Sequence, residues 1–126
     1  LSVEKAIRLL EEARIDLEVG NYNKSASASY FAARMMVELF LRSRKLSIPR
    51  RDDKLANLFE NQGFRELSND LRKLYDIRKK ADYLGKFVSR EEAESSLERA
   101  KGIVEALMNR LGRDTGDSAS ETNEPV

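Results

Sequence analysis

The chain of 126 residues has no histidine, no cysteine and no tryptophan, and only two prolines. Without histidine it lacks the side chain that most often moves protons near neutral pH. Without cysteine it has no disulfide framework, no thiol nucleophile and no cysteine zinc site. With both missing, zinc and haem sites of the ordinary kind are excluded, and no metal or other cofactor is expected. Its serine-rich segments have no imidazole to activate them, which excludes a Ser-His-Asp hydrolase. There is no glycine-rich phosphate loop, which disfavours an autonomous nucleotide-hydrolysing enzyme. No apolar run reaches the ~18–20 residues of a membrane span. The opening Leu1-Ser2-Val3-Glu4-Lys5 has no signal-peptide pattern. A cytoplasmic protein is the expectation.

Charge is what the chain has in excess. Charged residues make up 36% of it, against ~25% in an average domain. The net charge is only +1, but residues 42–90 carry 14 Lys and Arg against 7 Asp and Glu. Arg42, Arg44, Lys45, Arg50, Arg51 and Lys54 flank Pro49, and Arg72, Lys73, Lys79 and Lys80 follow. Clustered cations of this kind form a candidate phosphate-binding face, and they are equally what solvated helices of mixed charge present. No aromatic motif for stacking bases is recognisable beside them, so any nucleic-acid contact would run through the backbone and be sensitive to salt.

Apolar periodicity predicts an all-α protein. Val3, Ala6, Leu10, Ala13 and Leu17 mark a first helix that Gly20 stops. Ala26, Tyr30, Ala33, Val37 and Phe40 or Leu41 mark a second, from about 22 to 44. Its run Ser25-Ala26-Ser27-Ala28-Ser29 is small enough for a neighbouring helix to approach closely. A short helix with Leu55, Leu58 and Phe59 inward lies between Pro49 and Gly63. A fourth runs from about 64 to 84, with Leu67, Leu71, Leu74, Arg78 and Ala81 in phase. Ser89-Arg90-Glu91-Glu92 is a capping box opening the last helix. Ala93, Leu97, Ala100, Val104, Leu107 and Leu111 then give a 3.5-residue seam. The expected fold is an up-and-down bundle of four long helices plus one short helix over residues 1–111. From 112 to 126 almost nothing apolar remains, and a disordered tail is expected.

One segment hints at a site: Leu74-Tyr75-Asp76-Ile77-Arg78-Lys79-Lys80-Ala81-Asp82-Tyr83. It puts Arg78 on the apolar seam, although Ile77 beside it could take the same slot. Arginine is rarely buried without a partner, and Asp82 stands one helical turn away. The pair reads first as a structural ion pair. Asp and Tyr side chains titrate, when unperturbed, near ~3.9 and ~10, far from neutral. Asp82 and Tyr83 are therefore poor substitutes for a histidine base.

The chain resembles the HEPN domains, a family of small all-helical proteins, over roughly Ala6 to Leu107. The likeness rests on Gly20-Asn21-Tyr22 leading into Ala28-Ser29-Tyr30-Phe31-Ala32-Ala33, on the segment around Arg78, and on Ser89-Arg90-Glu91-Glu92-Ala93 with Leu97 and Ala100. In many members an arginine, followed after four to six residues by a histidine, forms a metal-independent ribonuclease site at a dimer cleft. Counted from Arg78, that histidine would fall at Tyr83, Leu84 or Gly85. The chain instead resembles the branch of small prokaryotic members reading Arg-x-x-Ala-Asp-Tyr. The resemblance carries Arg78 over and leaves the general base without a counterpart.

Three functional readings follow. The resemblance implies a homodimer paired with a minimal nucleotidyltransferase in a toxin–antitoxin-like module, with a degenerate nuclease motif. In some such modules the transferase adenylylates a tyrosine near the motif. Tyr83 is the nearest tyrosine here, and also simply an aromatic at a helix end. The second reading is an RNA-binding or weakly RNA-cleaving dimer using Arg78, Lys79, Lys80, Arg50 and Arg51, with Arg78, Asp82 and Tyr83 as the catalytic candidates. The third is a nucleotide-binding scaffold in which Arg78 holds a phosphate. An enzyme is not the favoured reading, since the motif's histidine is missing.

Overall fold

The computed structural model describes residues 1–83 and 85–123, without the side chains of Tyr83 and of residues 113–123. Five helices follow in order: α1 Val3–Glu18, α2 Tyr22–Ser43, α3 Asp52–Asn61, α4 Arg65–Tyr83 and α5 Arg90–Asn123. The expected four long helices and one short one are all there.

Their ends are set by local chemistry. The Ser2 hydroxyl accepts the Lys5 N–H at 3.0 Å and caps α1. Gly20, at φ +85°, supplies the left-handed turn that lets the chain reverse into α2. The capping box of α5 closes reciprocally. The Ser89 hydroxyl accepts the Glu92 N–H at 3.1 Å, and Glu92 Oε1 accepts the Ser89 N–H at 3.0 Å.

α2 is the central helix and packs against α1, α4 and α5. Its stripe of Ala26, Tyr30, Ala33, Val37, Phe40 and Leu41 is entirely buried. The small run at its start meets α1, where the buried Ser25 hydroxyl donates to the Ala13 carbonyl at 2.7 Å. Leu71 and Leu74 of α4 and Ala93, Leu97, Ala100, Ile103, Val104 and Leu107 of α5 complete the interior. On α3, Leu55 and Phe59 are fully buried as expected, Ala56 joins them, and Leu58 is half-buried. An aromatic cluster joins α2, α3 and the start of α4. Phe59 stacks on Phe64 at 4.8 Å, and Phe40 meets Phe64 edge-on at 5.0 Å.

The backbone of α5 runs on to Asn123, past residue 111, where the apolar seam ends. The tail expected over 112–126 falls on this stretch, and its side chains from 113 onward and residues 124–126 lie outside the described residues. Among the described residues no helix is long and apolar enough to cross a membrane.

Candidate functional site at the α2–α4 rim

On α2, Ser27, Tyr30, Phe31 and Arg34 recur at helical spacing and share one face. On α4, Tyr75, Arg78 and Asp82 do the same. The two faces meet. Arg78 Nε lies 2.8 Å from Asp82 Oδ2, so the ion pair expected one turn apart is formed. The Arg78 side chain keeps 18% of its exposure, which places it at the rim of the bundle. Its guanidinium carbon stands 4.9 Å from the centre of the Phe31 ring and 5.4 Å from that of Tyr30. The core slot beside it is partly filled by Ile77, which packs on the small cluster of Ala26, Val88 and Ala93.

Several partners in this site were invisible in the sequence. The Ser27 hydroxyl donates to Asp82 Oδ1 at 3.1 Å. Arg34 donates to Asp52 Oδ1 at 2.6 Å and to the Tyr30 hydroxyl oxygen at 3.2 Å, and approaches Glu38 at 3.4 Å. This network ties α2 to the start of α3. Burial pushes the Asp52 carboxyl up from its ordinary value, while the Arg78 charge pulls it back down. The Arg34 guanidinium favours the charged carboxylate in the same way as Arg78. Phe31, 41% exposed, is the one large aromatic of α2 that faces solvent.

Below the rim, a cleft of about 250 Å³ opens between α3 and α4. Ala56, Leu71 and Tyr75 line it together with Asp52, Asp53, Asp76 and Arg72. Arg72 is turned to Glu60 and Asn57, both at 2.8 Å. The lining is thus weighted towards negative charge.

Several of the candidate basic residues are met by neighbouring acids. Consecutive residues on a helix point about 100° apart, so Arg78, Lys79 and Lys80 diverge. Lys80 Nζ reaches Glu92 on α5 at 2.9 and 3.0 Å. That contact and the Ser89 N–H hold the Glu92 carboxyl below its ordinary value. Lys79 is exposed. Arg51 pairs with Asp53 at 2.8 Å in solvent. The Arg50 side chain is exposed, and its carbonyl accepts from Arg34 at 3.4 Å. Arg78 and Asp82 are in direct contact, and Arg50 and Arg51 stand at the neighbouring start of α3, where Arg34 joins the Arg50 carbonyl to Asp52. The Tyr83 side chain lies outside the described residues. Among the described residues, no three His, Cys, Asp or Glu side chains gather as a metal-binding set.

Chemically, the rim offers a pinned guanidinium, a carboxylate, a hydroxyl and an exposed aromatic ring. It offers no imidazole, because the chain has none. The family model described as the HEPN domain matches residues 1–111. No curated protein matches the chain.

Proposed function

The chain belongs to the HEPN family, and we propose that within it this protein acts as the partner subunit of a minimal nucleotidyltransferase, in a toxin–antitoxin-like module, without cleaving RNA itself. One observation carries the reading. The arginine that the family uses is held by Asp82 and lies over two aromatic rings, and no histidine stands after it. General acid–base catalysis needs a group that can gain and lose a proton at the working pH, within reach of the reacting atoms. Arg78 is a fixed cation and cannot fill that part. What the rim retains is recognition: charge, an exposed ring and hydrogen-bonding groups on rigid helices. A homodimer with the Arg78 helix near the cleft belongs to the same proposal.

The test is an affinity capture of the full chain from its own host, with proteins, RNA and the intact mass of the bait all read out. A co-purifying nucleotidyltransferase supports the reading. A homodimer that captures no transferase from that host overturns it.

A second reading has its own support in Phe31. An exposed aromatic ring backed by a guanidinium is a stacking platform for an unpaired base. On this reading the protein binds single-stranded RNA, with affinity that falls as salt rises. Arg78→Ala and Phe31→Ala should each weaken binding in a filter or anisotropy assay. Unchanged affinity in both would remove it.

A further inference from the structure

The cations of this chain are not all matched. Arg51, Arg72 and Lys80 each meet a carboxylate. Arg42, Arg44, Lys45 and Arg65 are exposed, and none of them makes an ion pair with a described residue. All four stand at one end of the bundle, where α2 stops and α4 starts. It is the end opposite the Arg78 rim: the core there holds Phe40 and Leu41, whereas Ile77 and Ala81 pack on Ala26 at the other. The acids on the nearby stretches are Glu66, next to Arg65, Glu105 on α5, and Glu4, beside Lys5 at the start of α1. With Glu66 counted against Arg65, Glu105 against Arg110 and Glu4 against Lys5, the charges of Arg42, Arg44 and Lys45 still stand in excess.

The fold holds these groups firmly. The Lys45 N–H donates to the Arg42 carbonyl at 2.9 Å and the Leu46 N–H to the Leu41 carbonyl at 3.1 Å, the paired bonds of a Schellman stop. Lys45 takes the left-handed position of that stop, at φ +61°, where glycine is usual. Leu46 then packs back on the core and fixes the turn. The Arg44 guanidinium carbon lies 4.9 Å from the centre of the Phe40 ring, and that of Arg110 lies 6.0 Å from the centre of Phe64. Phe40 and Phe64 meet at 5.0 Å, so both guanidiniums rest on one aromatic pair.

We propose that this end of the bundle, through Arg42, Arg44, Lys45 and Arg65, binds the phosphate backbone of a nucleic-acid duplex. The guanidinium fork fits phosphate oxygens, and three of the four cations are arginine. Protein interfaces are anchored on apolar and aromatic side chains, and membrane surfaces take up apolar ones. The large apolar side chains exposed among the described residues are Leu1, Ile7, Ile15, Val19, Phe31 and Phe87, and only Leu1 belongs to this end. No exposed ring is there to stack on an unpaired base, in contrast to Phe31 at the rim. Contacts to the backbone alone carry no sequence information, so the binding is independent of sequence and driven by release of counterions. Cations seated on a rigid aromatic cluster lose little freedom when they bind. The proposal is independent of the transferase reading and concerns a surface other than the rim.

The experiment measures anisotropy of a labelled RNA duplex, and of a DNA duplex of the same sequence, with the full chain over a series of salt concentrations. The expected result is binding that weakens steeply with salt. The slope of log affinity against log salt should fall by about one in each of Arg42→Gln, Arg44→Gln and Arg65→Gln. It should be unchanged in Lys24→Gln, an exposed cation at the far end of α2. Circular dichroism checks that each variant keeps its helices, and Arg42 and Arg65 make no ring contact whose loss could disturb the core. Failure to bind either duplex at low salt overturns the proposal. So do slopes unchanged in the three variants, and duplex binding that is lost in Arg78→Ala and kept in them, which would assign it to the rim. Tighter binding to vesicles of anionic phospholipid than to either duplex overturns it as well.

Discussion

The two halves of α4 are held to the bundle by different means. In the first half, Leu71 and Leu74 are buried, and the nearby Phe40, Phe59 and Phe64 pack ring on ring. Ion pairs from Arg72 to Glu60 and from Asp70 to Arg99 add to that half at the surface. In the second half the ties to other helices are polar, from Asp82 to Ser27 on α2 and from Lys80 to Glu92 on α5, with Arg78 fixing Asp82 within α4. The apolar beneath them is small, built from Ala26, Val88 and Ala93. Burying a large apolar side chain stabilises by about 1.5–3 kcal/mol, whereas a surface ion pair contributes about 0–1 kcal/mol. Stability is therefore concentrated at the aromatic end, and the polar end is free to carry recognition. A site built on the low-stability end of a helix can be altered without unfolding the domain.

The comparison breaks first at the aromatic end. Phe59→Ala removes a fully buried ring that touches both Phe40 and Phe64. It should cost about 3–5 kcal/mol, since both transfer energy and a cavity are lost. Urea unfolding followed by circular dichroism checks this. A loss of under 1 kcal/mol would mean that the aromatic cluster is not where the stability resides.

Arg78→Ala probes the other end. It deletes the ion pair to Asp82 and the contacts with the Tyr30 and Phe31 rings at a side chain that is 18% exposed. The expected cost is about 1–2 kcal/mol, well below that of Phe59→Ala. If Arg78→Ala proves as damaging as Phe59→Ala, Arg78 is a structural keystone and the division between the two ends fails.

How far the sequence foretells each end follows from the range of its contacts. The seam of α5 and the capping box at Ser89 and Glu92 were legible because they repeat or close within a few residues. The Arg78–Asp82 pair was legible for the same reason, being one turn of one helix. The partners across the bundle were not. Ser27 meets Asp82, and Arg34 meets Asp52, only after α2 has packed against α3 and α4. Nothing local to Ser27 tells it apart from Ser25 or Ser29, yet Ser25 bonds to the Ala13 carbonyl and Ser29 is fully buried. In the basic window from 42 to 90 the partners of the cations were equally hidden. Its positive charges are real, but Lys80, Arg51 and Arg72 are each met by a neighbouring acid. The exposure of Phe31 has no local signal either, because burial on a helix face depends on which neighbours arrive.

A smaller effect sharpens the comparison at the start of α5. Ser89→Ala removes the side-chain cap of that helix and should cost about 1 kcal/mol. The loss should appear in thermal unfolding as a lowered midpoint. An unchanged midpoint would mean that the Lys80–Glu92 tie holds the end of α5 without its cap.

The smallest and most specific effect is a dependence on pH. The Glu92 carboxyl is held below its ordinary value of 4.5, first by the Lys80 ammonium and then by the Ser89 N–H. A carboxyl whose folded value lies below its unfolded one stabilises the fold fully above the unfolded value. That stabilisation is lost as the pH falls through the folded value, because the folded protein must then take up the proton. Glu92→Gln isolates this charge. Glutamine can still reach back to the Ser89 N–H, so the capping box survives, and only the attraction to Lys80 is removed. The variant should therefore unfold at lower urea than the parent at pH 7. The gap between them should close as the pH is brought below about 4.5. A gap that stays constant down to acid pH would show that Lys80 and Glu92 meet without stabilising the junction of α4 and α5. The polar end would then owe its order to the small Ala26–Val88–Ala93 cluster and not to its ion pairs.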